Sequence, residues 1–186
     1  MFIFIDIETT GLPDRISFDN YYDPEEIHHY DSSRIIQIAY LICEENGEII
    51  KTVDKIIKCD NFTINNSDLH GITNYKANNE GVDIRDALNN LYIDMKNVDT
   101  IVSHNCSFDK NIILSECHRY NNKKLSKEIN TKKTYCTMKL GKSIMNQRKY
   151  PKLCELYNFL FKDNIQPKHN AVYDAEICKL CYYKMK

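Results

Sequence analysis

The sequence predicts an α/β fold, a mixed sheet flanked by helices. Three observations predict it. Residues 2–7, 35–43 and 48–57 are short, apolar, β-branched runs, and the last two flank Glu44-Glu45-Asn46-Gly47, which reads as a hairpin turn. The spacing then becomes helical, with Val82, Ala87, Leu88, Leu91 and Met95 falling on one face. A further short apolar run, 100–103, is followed by more helical segments, so strands and helices alternate from there on.

Taken in order, residues 2–7 form the first strand. Its apolar start meets Asp6 at once, so a strand rather than a signal peptide is expected. Segment 13–34 lacks periodicity and carries an aromatic and acidic cluster: Tyr21, Tyr22, Asp23, Glu25, Glu26, His28, His29 and Tyr30. It reads as an insertion projecting from the core. Helices are expected at 82–95, 108–120, 137–145, 151–161 and 171–184. Pro151 suits a first helical turn and Asn170 an N-cap. A length of 186 residues with 42% hydrophobic side chains suits one domain, 1–186, with a core that needs no staple. No run approaches the roughly 20 apolar residues of a membrane span.

The eight cysteines are scattered singly. Cys178-x-x-Cys181 has metal spacing but no second pair, so these two read as small buried hydrophobes. With no secretory signal, reduced thiols and an intracellular, cytoplasmic location are expected; for a viral chain that means the host cytoplasm.

The formal charge of −1 conceals an asymmetry. Residues 1–100 carry 8 basic and 19 acidic side chains, and residues 101–186 carry 17 and 7. Between Arg119 and Lys152, 11 basic residues stand against Glu128 alone. Such a tract is either a solvated face or the footprint of a phosphate-backbone binder.

Three motifs carry chemistry. Asp6 and Glu8 stand two apart on a strand, so they share a face about 7 Å apart along it and can reach one divalent cation. Thr9-Thr10-Gly11 then ends the strand with hydroxyls and a residue that permits close approach of a ligand. The loop Ser103-His104-Asn105-Cys106-Ser107-Phe108-Asp109 follows the strand at 100–103. There Asn105 or Ser107 can cap a helix and Asp109 can be a first-turn acid. In the third motif, His169 and Asp174 are five apart, a rotation of about 140° on a helix, so they cannot share a helical face. With Asn170 as cap, His169 lies in the preceding loop while Asp174 points inward.

Together these motifs resemble the DEDDh exonucleases, the family of the proofreading epsilon subunit of bacterial DNA polymerase III, the three-prime repair exonucleases and oligoribonuclease. The residues that carry the resemblance are Asp6-Ile7-Glu8-Thr9-Thr10-Gly11, His104-Asn105-Cys106-Ser107-Phe108-Asp109 and His169-Asn170-Ala171-Val172-Tyr173-Asp174-Ala175, with support from residues 34–39 and from His70-Gly71-Ile72-Thr73. The resemblance implies a ribonuclease-H-like fold, a five-stranded mixed sheet whose first three strands are antiparallel. It implies two Mg²⁺ or Mn²⁺ ions held by Asp6, Glu8, Asp109 and Asp174, with His169 as general base. The carboxyl-only donor set and the ordinary near-neutral titration of histidine agree with this.

By the same resemblance, Thr9, Thr10, Gly11, Leu12, His70, Asn105 and Phe108 form the substrate-binding set. The activity implied is 3′–5′ hydrolysis of single-stranded nucleic acid, DNA ahead of RNA, to nucleoside 5′-monophosphates, as in repair and proofreading. The alternatives are an oligoribonuclease-like RNA trimmer and a catalytically silent nucleic-acid-binding module. The expected partners are single-stranded 3′ ends. The chain stops 12 residues after Asp174, so neither a polymerase-tethering tail nor a membrane anchor is expected.

Overall fold

The structure is a computed structural model describing residues 1–186. Three long strands, β1 (Phe2–Thr9), β4 (Ile35–Cys43) and β5 (Ile49–Ile56), pair antiparallel. Two short strands, β6 (Thr100–Ser103) and β7 (Lys133–Cys136), extend the sheet in parallel from β1, giving the order β5-β4-β1-β6-β7. This is the five-stranded mixed sheet expected. The fifth strand had no apolar signature, because β7 is a four-residue strand at the sheet edge and begins with a lysine; charged edges block pairing with other chains.

Helices cover both faces, because each face of β1 is apolar. Ile3, Ile5 and Ile7 pack under α3 (Ile84–Met95), α4 (Cys106–Arg119) and α5 (Lys123–Thr131), where Leu88, Leu91, Ile112, Leu125 and Ile129 complete the larger core. Phe4, with Leu41 and Val102, packs on the other face against Ala175, Cys178 and Tyr182 of α8 (Ala171–Met185). The Cys178 and Cys181 thiols are buried there and free, as their apolar reading requires. α6 (Thr137–Ile144) and α7 (Leu153–Phe161) flank α8, and two short helices, α1 (Ser67–His70) and α2 (Asn74–Glu80), precede α3.

Three boundaries differ from expectation. α7 starts at Leu153 with Lys152 as its N-cap, which puts Pro151 ahead of the helix; its carbonyl is held by His104 instead. α5 offers only Leu125 and Ile129 as buried positions, too few for a periodicity, and its start is set by Asn122 accepting from Leu125 N. Segment 13–34 is folded: a small hairpin, β2 (Arg15–Ser17) and β3 (Asn20–Tyr21), is followed by a 3-10 turn, Ile27–Tyr30, packed on α4. No helix is long and apolar enough to cross a membrane.

Candidate active site

β1 outlasts its parallel neighbour. β6 pairs with β1 only from Phe2 to Phe4, whereas β1 runs on to Thr9. The stretch Asp6–Glu8 is therefore paired with β4 alone, and a cleft opens beside it, where parallel strands diverge at their carboxyl ends. The cleft has a volume of about 590 Å³, within the usual range for a small-ligand site.

Three carboxylates meet at its floor. Asp6, Glu8 and Asp174 bring one oxygen each within 4.8 Å of one another. Asp174 arrives from the first turn of α8, whose start is fixed twice. Asn170 caps it by accepting from Tyr173 N at 3.2 Å, and Gln37 of β4 accepts from Ala171 N at 3.2 Å while donating to Asp54. Asp109 comes from the first turn of α4, 3% exposed, and lines the same cleft. His169 lines it from the loop before α8, with φ +47°, outside the helix as its spacing from Asp174 requires.

Crowding buried acids has a predictable electrostatic result. Burial drives the Asp6 carboxyl well above its ordinary range, and the charges of Asp109, Asp174 and Glu8 push it further. Burial, then Asp174, raises Glu8 to about 7. Burial raises Asp109 to about 8, with the Ser103 hydroxyl pulling the other way. Asp174 is raised by burial and held back by the Asn170 amide and by His169. Such a cluster is relieved by cations, and its all-oxygen donors fit Mg²⁺ or Mn²⁺ rather than zinc.

The remaining expected residues divide. Leu12, Asn105 and Phe108 line the cleft, and Phe108 also packs on the core. Asn105 takes the N-cap position of α4 at φ +77° without a side-chain cap bond, and its Oδ1 is buried with no partner. Thr9, Thr10 and Gly11 stand outside the lining. The Thr9 hydroxyl donates to Gly11 O at 2.7 Å, and the Thr10 hydroxyl donates to Ser32 O and accepts from Arg34 N, both at 2.9 Å. A Cβ on Gly11 would sit 2.8 Å from Ser32 O, so this glycine admits the chain's own returning backbone. His70 is also outside the lining. Its Nδ1 accepts from Ile72 N at 3.1 Å, which leaves Nε2–H as a buried donor without an acceptor.

Two supports had no local sequence signal. His104 is part of a motif, yet it is a strut. Nε2 donates to Pro151 O at 2.9 Å and Nδ1 accepts from the Thr137 hydroxyl at 3.0 Å, while burial lowers it to about 4 and keeps it neutral. It holds the rim formed by Lys152, Leu153 and Cys154. Arg34 forms a two-pronged buried pair with Glu116, at 2.6 and 3.2 Å, locking the return of segment 13–34 onto α4.

The basic tract divides as well. Lys133 pairs in register with Thr100, which pairs with Phe2, so Lys132 and Lys133 lie at the end of the sheet opposite Glu8, and Lys132 is spent on Glu128 at 2.5 Å. Lys123 and Lys127 flank His118 in the last turn of α4, away from the helix start that carries Asp109. Lys152 is the tract residue that lines the cleft.

Comparison with known proteins agrees with this architecture. Exonuclease X, solved with 5′ overhanging duplex DNA, superposes with a TM-score of 0.65 at 22% identity, covering 100% of this chain and 90% of that one. S. pombe Pop2p, in a Mg²⁺- and Mn²⁺-bound form, gives 0.74 at 19%, covering 99% and 82%. E. coli Exonuclease I with a dA16 oligonucleotide gives 0.71 at 17%, covering 99% of this chain but 40% of the larger enzyme. No curated protein matches the sequence significantly. The model of the RNase_T exonuclease family matches residues 3–182. The chain belongs to that family, as a DEDDh-type 3′–5′ exonuclease.

Proposed function

We propose that the protein removes nucleoside 5′-monophosphates from the 3′ ends of single strands, DNA in preference to RNA, with two divalent cations. The observation that carries this reading is the convergence of Asp6, Glu8, Asp109 and Asp174 on one cleft with His169 at its edge. Members of the family use divalent metal. Asp6, Glu8 and Asp174 would hold one ion, with Asp6 shared toward a second on the Asp109 side. When bound, two such ions lower the pKa of water and neutralise charge on the attacking and leaving oxygens.

The rest belongs to the chain. His169 stands clear of the helix and of any hydrogen bond that would hold it, so its ring is free to take the proton of the attacking water. Leu12 and Phe108 offer apolar surface to the terminal base and sugar. Asn105 Oδ1, buried and unpartnered in the lining, is an acceptor that a bound nucleotide would satisfy. Thr9, Thr10 and Gly11 act by shaping the turn that presents Leu12. The neighbours solved with DNA favour DNA as substrate.

The test is to incubate 5′-labelled single-stranded DNA and RNA side by side with Mg²⁺ or Mn²⁺. A descending ladder, faster on DNA, is expected. A faster RNA ladder would reassign the substrate, cleavage of closed circles would refute the end requirement, and no cleavage with either metal would indicate a silent binding module.

A further inference from the structure

We propose that segment 13–34 carries its own site for a borderline transition-metal dication such as Zn²⁺, built from Glu26, His28 and His29 and independent of the carboxylate cluster. The ligand atoms of these three residues lie within 4.8 Å of one another, so small side-chain rotations bring them to one ion. Two imidazoles and one carboxylate suit zinc, cobalt or nickel and are poor ligands for Mg²⁺.

Three further features single out this cluster among exposed histidines. Glu26 and His29 are three apart at a 3-10 turn, a spacing that puts side chains on the same face. The Asp14 carboxylate holds Nδ1 of His29 at 3.0 Å, which leaves Nε2 as that ring's available donor. This is the carboxylate–imidazole arrangement that orients metal-ligating histidines. The His29 ring is fixed between two others: Tyr22 stacks on it at 3.6 Å and 11°, and the His28 ring lies 4.0 Å away.

An ion here would lock the neck of the segment. Asp14 N donates to His29 O at 2.9 Å, so the outgoing and returning strands of the segment already touch at the cluster. Beyond this neck the hairpin reaches toward the nuclease cleft. Phe18 stacks on Tyr150 at 5.2 Å, and Asp19 pairs with Lys139 at 2.6 Å. Fixing the neck therefore fixes the position of the hairpin beside the start of α4.

The full chain should be titrated with Zn²⁺ and with Co²⁺ by calorimetry and visible absorption, as wild type, as Asp6→Asn, and as Asp6→Asn combined with His28→Gln or His29→Gln. The Asp6→Asn protein should keep one Zn²⁺ site, and Co²⁺ bound to it should show the intense ligand-field bands of low coordination. Either histidine change should weaken that site at least tenfold, and Asp14→Asn should weaken it roughly 10–100-fold. Zinc should also slow proteolysis within 13–34. Loss of all Zn²⁺ binding in Asp6→Asn, or affinity unchanged by His28→Gln and His29→Gln, would overturn the proposal. Circular dichroism of each variant separates lost ligands from lost folding.

Discussion

The two places where metal-ligating side chains gather are built on opposite terms. Asp6, Glu8 and Asp174 are packed into the end of the central strand, and their acids are pushed upward by burial and by one another. Glu26 and His28 are exposed, on a one-turn helix at the surface. The first cluster holds acids against burial and mutual repulsion, whereas the second sets one carboxylate beside two imidazoles at the surface. A buried all-carboxylate site is thus tuned to need its cations, and an exposed mixed site only to accept one.

The largest effect that would break this contrast is on catalysis. Asp6→Asn should abolish both Mn²⁺ affinity at the cleft and activity. His169→Ala should keep the affinity and lose roughly 10²–10⁴ in single-turnover rate, as expected for a missing general base. If the two variants lost Mn²⁺ equally, His169 would belong among the ligands.

Next in size is the link between the regions. Glu116→Gln leaves Arg34 buried without its counter-charge and should cost about 3–5 kcal/mol in denaturant unfolding, whereas replacing both partners with apolar residues should cost much less. An equal cost for the single and double changes would mean that the pair acts through packing alone.

The cost of burying the cleft acids has a sign. Glu8 titrates near 4.5 when unfolded and about 7 when folded, and Asp109 near 3.8 and about 8. Between about pH 4 and 8 the metal-free fold holds protons that the unfolded chain has released, so this contribution to stability falls as pH rises. Asp109→Asn should therefore raise the melting midpoint in chelator at pH 8, by several degrees at about 2–4 °C per kcal/mol for a chain of this size, and by little at pH 4. Saturating Mg²⁺ should narrow the gap at pH 8. A gap that does not depend on pH would mean that the acids are not strained.

The smallest effect concerns the lysines. Lys142→Glu, in α6, and Lys152→Glu, in the cleft lining, should each lower the log–log salt slope of single-strand binding by about 0.7. Lys132→Glu and Lys133→Glu, at the far end of the sheet, should leave it unchanged. Equal slopes from the two pairs would return the whole tract to a solvated surface.

What could be read from sequence was whatever a short window fixes. The alternation in β1 places Asp6 with Glu8, and the cap at Asn170 separates His169 from Asp174; both are properties of neighbouring residues. The supports were illegible because their partners are distant. Gln37 meets Ala171 across 134 positions, Arg34 meets Glu116 across 82, and His104 meets Pro151 across 47. Gly11 was expected to admit a ligand and instead admits Ser32, because the path of segment 13–34 has no periodic signal. A run of lysines likewise gives no sign that β7 sends Lys132 and Lys133 to the end of the sheet opposite the cleft while Lys152 reaches it.

The meeting of β1 with the last helix bears on how the protein is made. Asp174 follows Asp6 by 168 positions. At 5–20 residues per second, roughly 8–34 s of synthesis separate them. During that interval β1 can pair with β4 and later β6, and the larger core can close under α3 and α4, yet the cluster lacks its third acid. The carboxylate cluster thus stays incomplete through most of synthesis and is assembled only when α8 docks.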